Sequence, residues 1–411
     1  MKYLLIIGAG MADNPVPSLN GKTPLEYASK PFIDSLAVHG ELGSVINCPE
    51  GLPVGSETAI LSCLGFDPTV YFTGRSPMEA AALGYELKPG DCCFRCNLIA
   101  MTPGDMPYEE RELLSHSAGS IADRDAIDAV DALNADEEFQ ALLRQMDMEI
   151  RPVPNFRPLA VWHGGDFNGI SFTPPHDHLG EAAGGLMPCG NATAELFAKL
   201  QRVSNRVLEH HPVTERRRAS GKLGCNGVWF WAEGTAPTLP SFPERYGKSG
   251  AVISAVPLVQ GIAVLSGLDK ILVPGATGEI DTNFPGKRDA VIDCLNRYDF
   301  VCLHLEAPDE CTHNGDTEGK VQSIEWLDSL LVEPIITSLQ NRGEDFRVLV
   351  LSDHKTLTAT RGHDADPVPY ILYDSRQRDG GSGLTYTEAN ALSTDLFLPA
   401  GYRLMDKLFE R

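Results

Sequence analysis

The sequence lacks the basic charge that binding to nucleic acid or to an anionic membrane requires. It has 34 Lys and Arg residues against 56 Asp and Glu residues, which gives a net charge of −22 at pH 7. Both kinds of partner are polyanions that need a basic surface. We therefore expect neither, although a metal ion or an arginine can still make one cleft attractive to a phosphorylated substrate.

Long apolar segments and a disulfide framework are also missing. No run of about eighteen apolar residues occurs, and the N-terminal KYLLIIGAG is too short to cross a bilayer and is not followed by a cleavage site. The ten cysteines do not form the pattern of a short secreted chain, and Cys93 and Cys96 make a CxxC without the second pair that a zinc site needs. These features predict a soluble, cytoplasmic protein with reduced thiols.

Familiar nucleotide loops and the hydrolase elbow are absent. GAGMAD at 8–13 follows a strand, but Asp13 stands where a dinucleotide motif has its third glycine. A Walker loop ending at Gly286 and Lys287 would need glycine at the position of Asp281. No Gly-x-Ser-x-Gly motif is present, which argues against an α/β-hydrolase. We expect no nucleotide cofactor.

The sequence does contain a regular alternation of strands and helices in its C-terminal half. The predicted strands are Gly250–Ala255, Lys270–Val273, Asp299–Leu305 and Arg347–Leu351, with Lys2–Ile7 as an N-terminal strand. The predicted helices are Pro257–Leu268, Lys287–Arg297 and Gly319–Gln340. This alternation predicts an α/β fold with a mainly parallel sheet between helices, whose ligand sites lie at the carboxyl ends of the strands.

The middle of the chain is less regular. An acidic helical stretch at Asp123–Met148 is followed by strand-like pieces at Leu159–His163 and Val228–Trp231, among many prolines and glycines. We interpret residues 87–240 as an inserted α+β cap domain. The core domain would then be discontinuous and comprise residues 1–86 and 241–411.

Potential metal ligands follow two of the predicted strands. Asp309 and His313 lie four residues apart after one strand, Asp353 and His354 follow another, and His363 comes nine residues later. Carboxylates and imidazoles gathered at strand ends suit a divalent ion, with Mn²⁺ and Zn²⁺ both compatible. We therefore predict a metal site formed by these residues.

A candidate nucleophile lies in an early loop. Ser56 follows Gly55 at a predicted helix start, where free backbone N–H groups favour an anion. A serine there can also be a simple helix cap. As a nucleophile it would need a base or a metal to activate its hydroxyl, and the metal ligands could supply one.

Longer motifs over most of the chain give a resemblance to a known family. They are GKTPLEYA at 21–28, GSETA around Ser56, GFDPTVYFTGRSPMEAA at 65–81, FRCN at 94–97, TPPHD at 173–177, VPGATGEIDTNFPGK at 273–287, EAPDECTHNGD, SDH and GHDADPVP. The chain resembles the archaeal-type cofactor-independent phosphoglycerate mutases of the alkaline phosphatase superfamily. This implies an alkaline-phosphatase-like core and a glycolytic isomerase that interconverts 3-phosphoglycerate and 2-phosphoglycerate.

The resemblance also implies a mechanism with two divalent ions and a phosphoserine intermediate, with Ser56 as nucleophile. Mn²⁺ is favoured, and Zn²⁺ or Mg²⁺ would also suit the ligands. By motif, one ion would be held by Asp309, His313 and His363. The other would be held by Asp353, His354, Ser56 and an aspartate of the first loop.

The resemblance assigns further residues to the substrate, a small phosphorylated metabolite. Lys287 and Arg75 are expected to balance phosphate charge during catalysis. Arg95, His176 and Asp177 are expected to bind the substrate from the cap domain.

Position 9 departs from the family pattern, because Ala9 stands where members usually have the metal-binding aspartate. Three explanations are open: an engineered change, a natural loss that leaves a weak enzyme or a binding protein, or replacement by Asp13. We expect weak second-metal binding and low activity.

The sequence leaves two other functions open. One is a homoserine-kinase-like phosphotransferase of the same family, and the other is a non-catalytic protein that binds a phosphorylated metabolite. The sequence makes no prediction of oligomeric state.

Overall fold

The strands of the C-terminal half are present in the computed structural model of the chain, which describes residues 1–377 and 380–410. In chain order the strands are β1 Lys2–Gly8, β2 Glu41–Val45, β3 Cys92–Met101, β4 Leu113–Ser115, β5 Met148–Ile150, β6 Leu159–Trp162, β7 Gly227–Thr235, β8 Gly250–Ile253, β9 Asp269–Ile271, β10 Phe300–Leu305, β11 Phe346–Leu351, β12 Lys355–Leu357, β13 Gly362–Asp364, β14 Val368–Asp374 and β15 Phe397–Leu398.

The helices fall mainly between these strands. They are α1 Pro24–Tyr27, α2 Pro31–His39, α3 Ser56–Cys63, α4 Pro68–Tyr71, α5 Ser76–Ala82, α6 Asp123–Ala135, α7 Glu137–Met146, α8 Ala192–Leu208, α9 Pro212–Ala219, α10 Phe242–Tyr246, α11 Pro257–Leu265, α12 Phe284–Arg297, α13 Ala307–His313, α14 Thr317–Trp326, α15 Glu333–Asn341, α16 Glu388–Leu392 and α17 Leu404–Leu408. Among the described residues, none of the helices combines the length and apolar character needed to cross a bilayer.

The chain folds into two units. The first comprises residues 1–72, 81–83 and the chain from 238 onward, and the second comprises residues 73–80 and 84–237. Residues 73–80 therefore group with the second unit. The assignment of core and cap roles to residues 1–86 with 241–411 and to residues 87–240 stays a prediction.

The first unit is built on an eight-stranded sheet in the order β15-β2-β14-β11-β1-β10-β8-β9. The run from β11 to β9 is parallel, and β14 is antiparallel to its neighbours β11 and β2. Every residue of β10 and β11 is buried, so both faces of the sheet are covered, because successive side chains point to opposite faces. The predicted α/β class with a mainly parallel sheet is confirmed.

The parallel register brings three loops to one edge of this sheet. Gly8 at the end of β1 pairs with Leu305 of β10, and Ile7 pairs with Leu351 of β11. The segments that follow these strands therefore start side by side. They carry Ala9, the turn into α13, and the Ser-Asp-His segment at 352–354.

The long predicted helix Gly319–Gln340 is interrupted in the structure. Helix α14 ends at Trp326, a π-helical segment follows at Leu327–Val332, and α15 begins at Glu333. Pro334 in the first turn of α15 has no N–H to continue a regular α-helical ladder.

The second unit has an antiparallel sheet in the order β4-β3-β6-β5, with β7 paired along the other side of β3. The acidic stretch predicted at Asp123–Met148 forms α6 and α7, separated at Asp136, and Met148 begins β5. Residues Phe94 and Phe197 lie in its fully buried apolar core. Cys93 and Cys96 belong to different apolar clusters, because residues three apart on a strand face opposite ways.

Candidate active site

Three of the predicted metal ligands form a compact group in the first unit. Asp309 and His313 are one turn apart on α13, and Asp309 Oδ2 lies 3.1 Å from His313 Nε2. His363 Nε2 lies 3.1 Å from His313 Nε2 and 3.6 Å from Asp309 Oδ1. The three ligand atoms lie within 4.8 Å of one another, a suitable set for one divalent ion. We call these residues the Asp309 cluster.

A short hairpin brings His363 to this cluster. Strands β12 and β13 pair so that Thr356 lies opposite His363. The His354 and His363 rings are consequently 4.2 Å apart between centroids, although nine residues separate them in the chain. Thr356 also donates a hydrogen bond to Asp309, which sequence analysis did not foresee.

Backbone carbonyls orient both imidazoles of the cluster. His313 Nδ1 lies 2.8 Å from the carbonyl oxygen of Arg361, and His363 Nδ1 lies 3.0 Å from that of Val54. A carbonyl can only accept, so Nδ1 carries the proton in each ring and Nε2 is left to bind a metal. Arg361 presents its carbonyl from the left-handed conformation, with φ +56°.

The pKa values of all three residues of the Asp309 cluster are shifted from their ordinary values. The hydrogen bond with Asp309 raises the pKa of His313 to about 9. Burial lowers the pKa of His363, but Asp309 outweighs this and raises it. Burial raises the pKa of Asp309, yet its bonds to the two histidines bring it well below the usual value. A metal ion bound here would therefore have to displace the proton of His313.

Ser56 lies in a second group with Asp353 and His354. Ser56 Oγ is 3.2 Å from Asp353 Oδ2 and 3.2 Å from His354 Nε2, and those two atoms are 3.3 Å apart. All three residues are buried. The N-cap of α3 is Gly55, and the Ser56 hydroxyl makes no capping bond, so the alternative of a simple helix cap is wrong. We call these residues the Ser56 group.

Ala9 leaves the Ser56 group with three donor atoms instead of the four that the family pattern implies. Ala9 is fully buried, and the N–H of the next residue, Gly10, donates to Asp353 Oδ1 at 3.0 Å. Gly10 has φ +59°, and a Cβ there would collide with Asp309 and Thr356. The residues of the Asp309 cluster fit a divalent ion, whereas those of the Ser56 group fit one incompletely.

Asp13 cannot replace the missing carboxylate. Its Oδ2 forms a buried ion pair with Lys320 Nζ at 2.8 Å and accepts hydrogen bonds from the backbone and hydroxyl of Thr358. Because the Asp13 carboxylate already binds Lys320 and Thr358, it is not free to bind a metal ion, and the explanation by Asp13 is wrong.

Lys287 lies in helix α12 and points toward strand β10. It is almost fully buried, and its Nζ lies 3.5 Å from the carbonyl oxygen of His304. Burial lowers its pKa to about 8, partly offset by the charge of Glu306. Its expected role in balancing phosphate charge stays a prediction.

In the second unit, the two predicted arginines share one carboxylate. Arg95 binds Glu79 through Nε and Nη2, at 3.0 and 2.5 Å, and Arg75 Nε donates to Glu79 at 2.9 Å. Burial raises the pKa of Glu79, but Arg95 and Arg75 outweigh it and bring the pKa to about 2. Sequence analysis missed Glu79 of α5, although its position four residues after Arg75 was a usable signal.

His176 and Asp177 lie in the same unit, in a short 3₁₀ turn. The His176 ring is 5.0 Å from that of Trp231, and Asp177 is exposed. Trp231 was not predicted as a site residue. It lies next to Arg95, His176 and Asn97.

The fold and these groups together define a class: an α/β protein with a serine and a candidate metal cluster at the strand ends of a mainly parallel sheet, an arrangement suited to phosphoryl transfer. A family model described as 2,3-bisphosphoglycerate-independent phosphoglycerate mutase matches residues 37–214. The enzyme of that name from Methanosarcina acetivorans is 42% identical over 383 residues, which is 92% of this chain and 93% of the relative. A probable enzyme of that name from Geobacter sulfurreducens is 40% identical over 416 residues, covering 100% of both.

Solved structures agree with these relatives. The cofactor-independent phosphoglycerate mutase from Thermoplasma acidophilum matches with a TM-score of 0.65 and 26% identity, over 100% of this chain and 99% of that one. A protein from Pyrococcus horikoshii matches with a TM-score of 0.80 and 28% identity, over 99% and 97%. The chain belongs to the 2,3-bisphosphoglycerate-independent phosphoglycerate mutase family, which confirms the resemblance seen in its motifs.

Proposed function

We propose that this chain is a phosphoglycerate mutase by descent and architecture, weakened at one metal site by Ala9. The observation that carries the proposal is the position of Ser56 Oγ, 3.2 Å from both Asp353 Oδ2 and His354 Nε2. A serine hydroxyl is a poor nucleophile unless a base or a metal activates it. Ser56 would accept the phosphoryl group of 3-phosphoglycerate and return it to the neighbouring hydroxyl.

The Asp309 cluster would hold one divalent ion, for which we favour Mn²⁺. A bound divalent ion would neutralise phosphate charge and favour the ionised serine. Asp353, His354 and Ser56 would bind a second ion weakly, because Ala9 supplies no carboxylate. In the second unit we expect Arg95, Arg75, His176 and Asp177 to serve the substrate, as the family resemblance implies.

The test is to restore the carboxylate with Ala9→Asp and to assay the protein with Mn²⁺. We expect conversion of 3-phosphoglycerate to 2-phosphoglycerate without ATP to rise at least about 100-fold, the effect of losing one key electrostatic group. Ala9→Asn is the matched control, since it has the same shape without the charge. Ser56→Ala in the Ala9→Asp chain should abolish the gain.

A second candidate function is favoured by the same alanine: a protein that binds a phosphorylated metabolite without turning it over. It predicts that 3-phosphoglycerate binds but that Ala9→Asp brings no activity. Homoserine with ATP is assayed in parallel, and activity there would replace the mutase by a kinase.

All ten cysteines are free thiols, and a cytoplasmic location remains our prediction.

A further inference from the structure

Strand β7 has a β-bulge beside the arginine of the second unit. Arg95 pairs with Trp231 and Cys93 pairs with Gly234, so β7 has one residue more than β3 between these pairs. Ala232, directly after Trp231, has φ +53°, in the left-handed region that favours glycine. Bulges of this kind redirect neighbouring side chains and are frequent next to functional sites.

The bulge also binds the segment that carries Arg75. The Ser76 hydroxyl donates to the Ala232 carbonyl, and Thr73 and Thr235 exchange two hydrogen bonds. A Cβ on Gly74 would collide with the backbone of this part of β7. The bulge therefore fixes where α5 begins, and with it the position of the arginines' shared carboxylate.

Trp231, the residue before the bulge residue Ala232, contacts Arg95, His176 and Asn97. The Arg95 guanidinium carbon lies 5.1 Å from the centre of the indole, and the His176 ring centroid lies 5.0 Å from it. The indole Nε1–H donates to Asn97 Oδ1 at 3.0 Å, which fixes the rotation of the ring. Trp231 is half-buried: it packs against the apolar cluster that contains Ile99 and Trp229, and it also contacts the polar groups of Arg95 and His176.

We propose that Trp231 is a positioning residue that holds Arg95 and His176 in one fixed arrangement for an anionic substrate. Glu79 engages one N–H each of Nε and Nη2 of Arg95, so the N–H groups of Nη1 lie outside this ion pair. The electron-rich indole face holds the guanidinium in place without consuming a donor. Phenylalanine would keep the face but lose the bond to Asn97, and leucine would lose both. This inference rests on the proposed function, which assigns Arg95 and His176 to the substrate.

The test compares Trp231→Leu, Trp231→Phe and the control Trp162→Leu in the full-length protein with Mn²⁺. Trp162 lies in the same unit, with its ring packed against Phe94 and Phe197 rather than an arginine. Calorimetry measures the Kd for 3-phosphoglycerate, and NMR measures solvent exchange of the Arg95 Nε–H. We expect Trp231→Leu to raise the Kd about tenfold and to speed the exchange, with Trp231→Phe intermediate. Trp162→Leu should leave the Kd within about twofold.

The results separate the two proposals. A Kd within about twofold of the unaltered chain in Trp231→Leu, or unchanged Arg95 exchange, overturns the positioning role. Failure of both the unaltered chain and Ala9→Asp to bind 3-phosphoglycerate overturns the proposed function instead. In that case the exchange rate of Arg95 still decides whether Trp231 holds it.

Discussion

Each unit of the molecule holds a buried carboxylate in a polar cluster, and the two differ in their partners. In the first unit Asp309 is bonded to the imidazoles of His313 and His363. In the second unit Glu79 is bonded to the guanidinium groups of Arg95 and Arg75. An imidazole releases its proton near neutral pH, whereas a guanidinium keeps its charge at any pH that a protein experiences.

This difference decides what each cluster can do. The proton on His313 can leave in exchange for a metal ion, which makes the Asp309 cluster a candidate metal site. The arginines cannot be exchanged, so the cluster around Glu79 is a permanent ion pair that orients its side chains. Both carboxylates are buried and have a lowered pKa. The partner residues decide whether the cluster can bind a metal ion or forms a permanent ion pair.

The largest expected effect comes from removing the negative charge of Glu79. Glu79→Gln should lower the free energy of unfolding by about 3 kcal/mol, because it leaves the buried charge of Arg95 uncompensated. Urea unfolding measures this, with Glu149→Gln as control. Glu149 pairs with Arg151 at the exposed surface, where such a pair contributes about 0–1 kcal/mol. Equal effects of both changes, or a loss of Mn²⁺ affinity in Glu79→Gln, would remove the distinction between the clusters.

The next effect is on metal binding. Asp309→Asn should weaken Mn²⁺ binding by at least about 100-fold, since even an outer partner of a metal ligand contributes 10- to 100-fold. Calorimetry measures the affinity, and Asp366→Asn is the control. Asp366 is an exposed carboxylate three residues from His363 that pairs with Lys355. Undiminished affinity in Asp309→Asn would show that the metal binds elsewhere.

The two clusters should also respond to opposite ends of the pH scale. The pKa of His313 is raised from 6.5 to about 9, so its stabilising effect on the metal-free chain is complete below pH 6.5 and is lost as the pH rises to 9. The pKa of Glu79 is lowered from 4.5 to about 2, so its effect is complete above pH 4.5 and is lost as the pH falls to 2.

For Mn²⁺ affinity, the proton on His313 predicts a rise of about tenfold per pH unit between pH 6 and 8, because each ion bound must displace it. Calorimetry in buffers of different ionisation enthalpy counts the protons released. In Glu79→Gln the slope should be unchanged. An affinity that does not vary with pH would contradict the exchange of proton for metal.

The smallest expected effect concerns the β-bulge of β7 beside Arg95. Ala232→Gly should raise the free energy of unfolding by about 1 kcal/mol, because glycine adopts φ +53° without the clash of a Cβ. Ala160→Gly, in the neighbouring part of the same sheet, should lower it by a similar amount, since glycine in an ordinary strand adds backbone freedom to the unfolded chain. A destabilised Ala232→Gly would mean that the bulge is not strained.

Regular alternation in the first unit was visible in the sequence, and five strands of its sheet (β1, β8, β9, β10 and β11) were predicted to within a few residues, whereas β2, β14 and β15 were not. Buried parallel strands such as β10 and β11 appear as short, continuous apolar runs between helices, a pattern that few other structures share. The second unit offered less. Strand β3 and the 17-residue helix α8 were not predicted, because long antiparallel strands and helices packed in one core lose the simple period of a half-exposed surface.

The sequence by itself determined the family, the α/β class and the identity of the candidate ligands, because these depend on local patterns and on motifs that keep their order. It also showed that Ala9 departs from the family pattern. Only the tertiary structure decided which groups meet. The β12–β13 hairpin places His363 next to Asp309. An ion pair with Lys320 occupies the carboxylate of Asp13. A β-bulge in β7 lies beside Trp231, which contacts Arg95. These contacts join residues far apart in the chain, and their geometry depends on strand register and loop conformation, which composition and spacing do not encode.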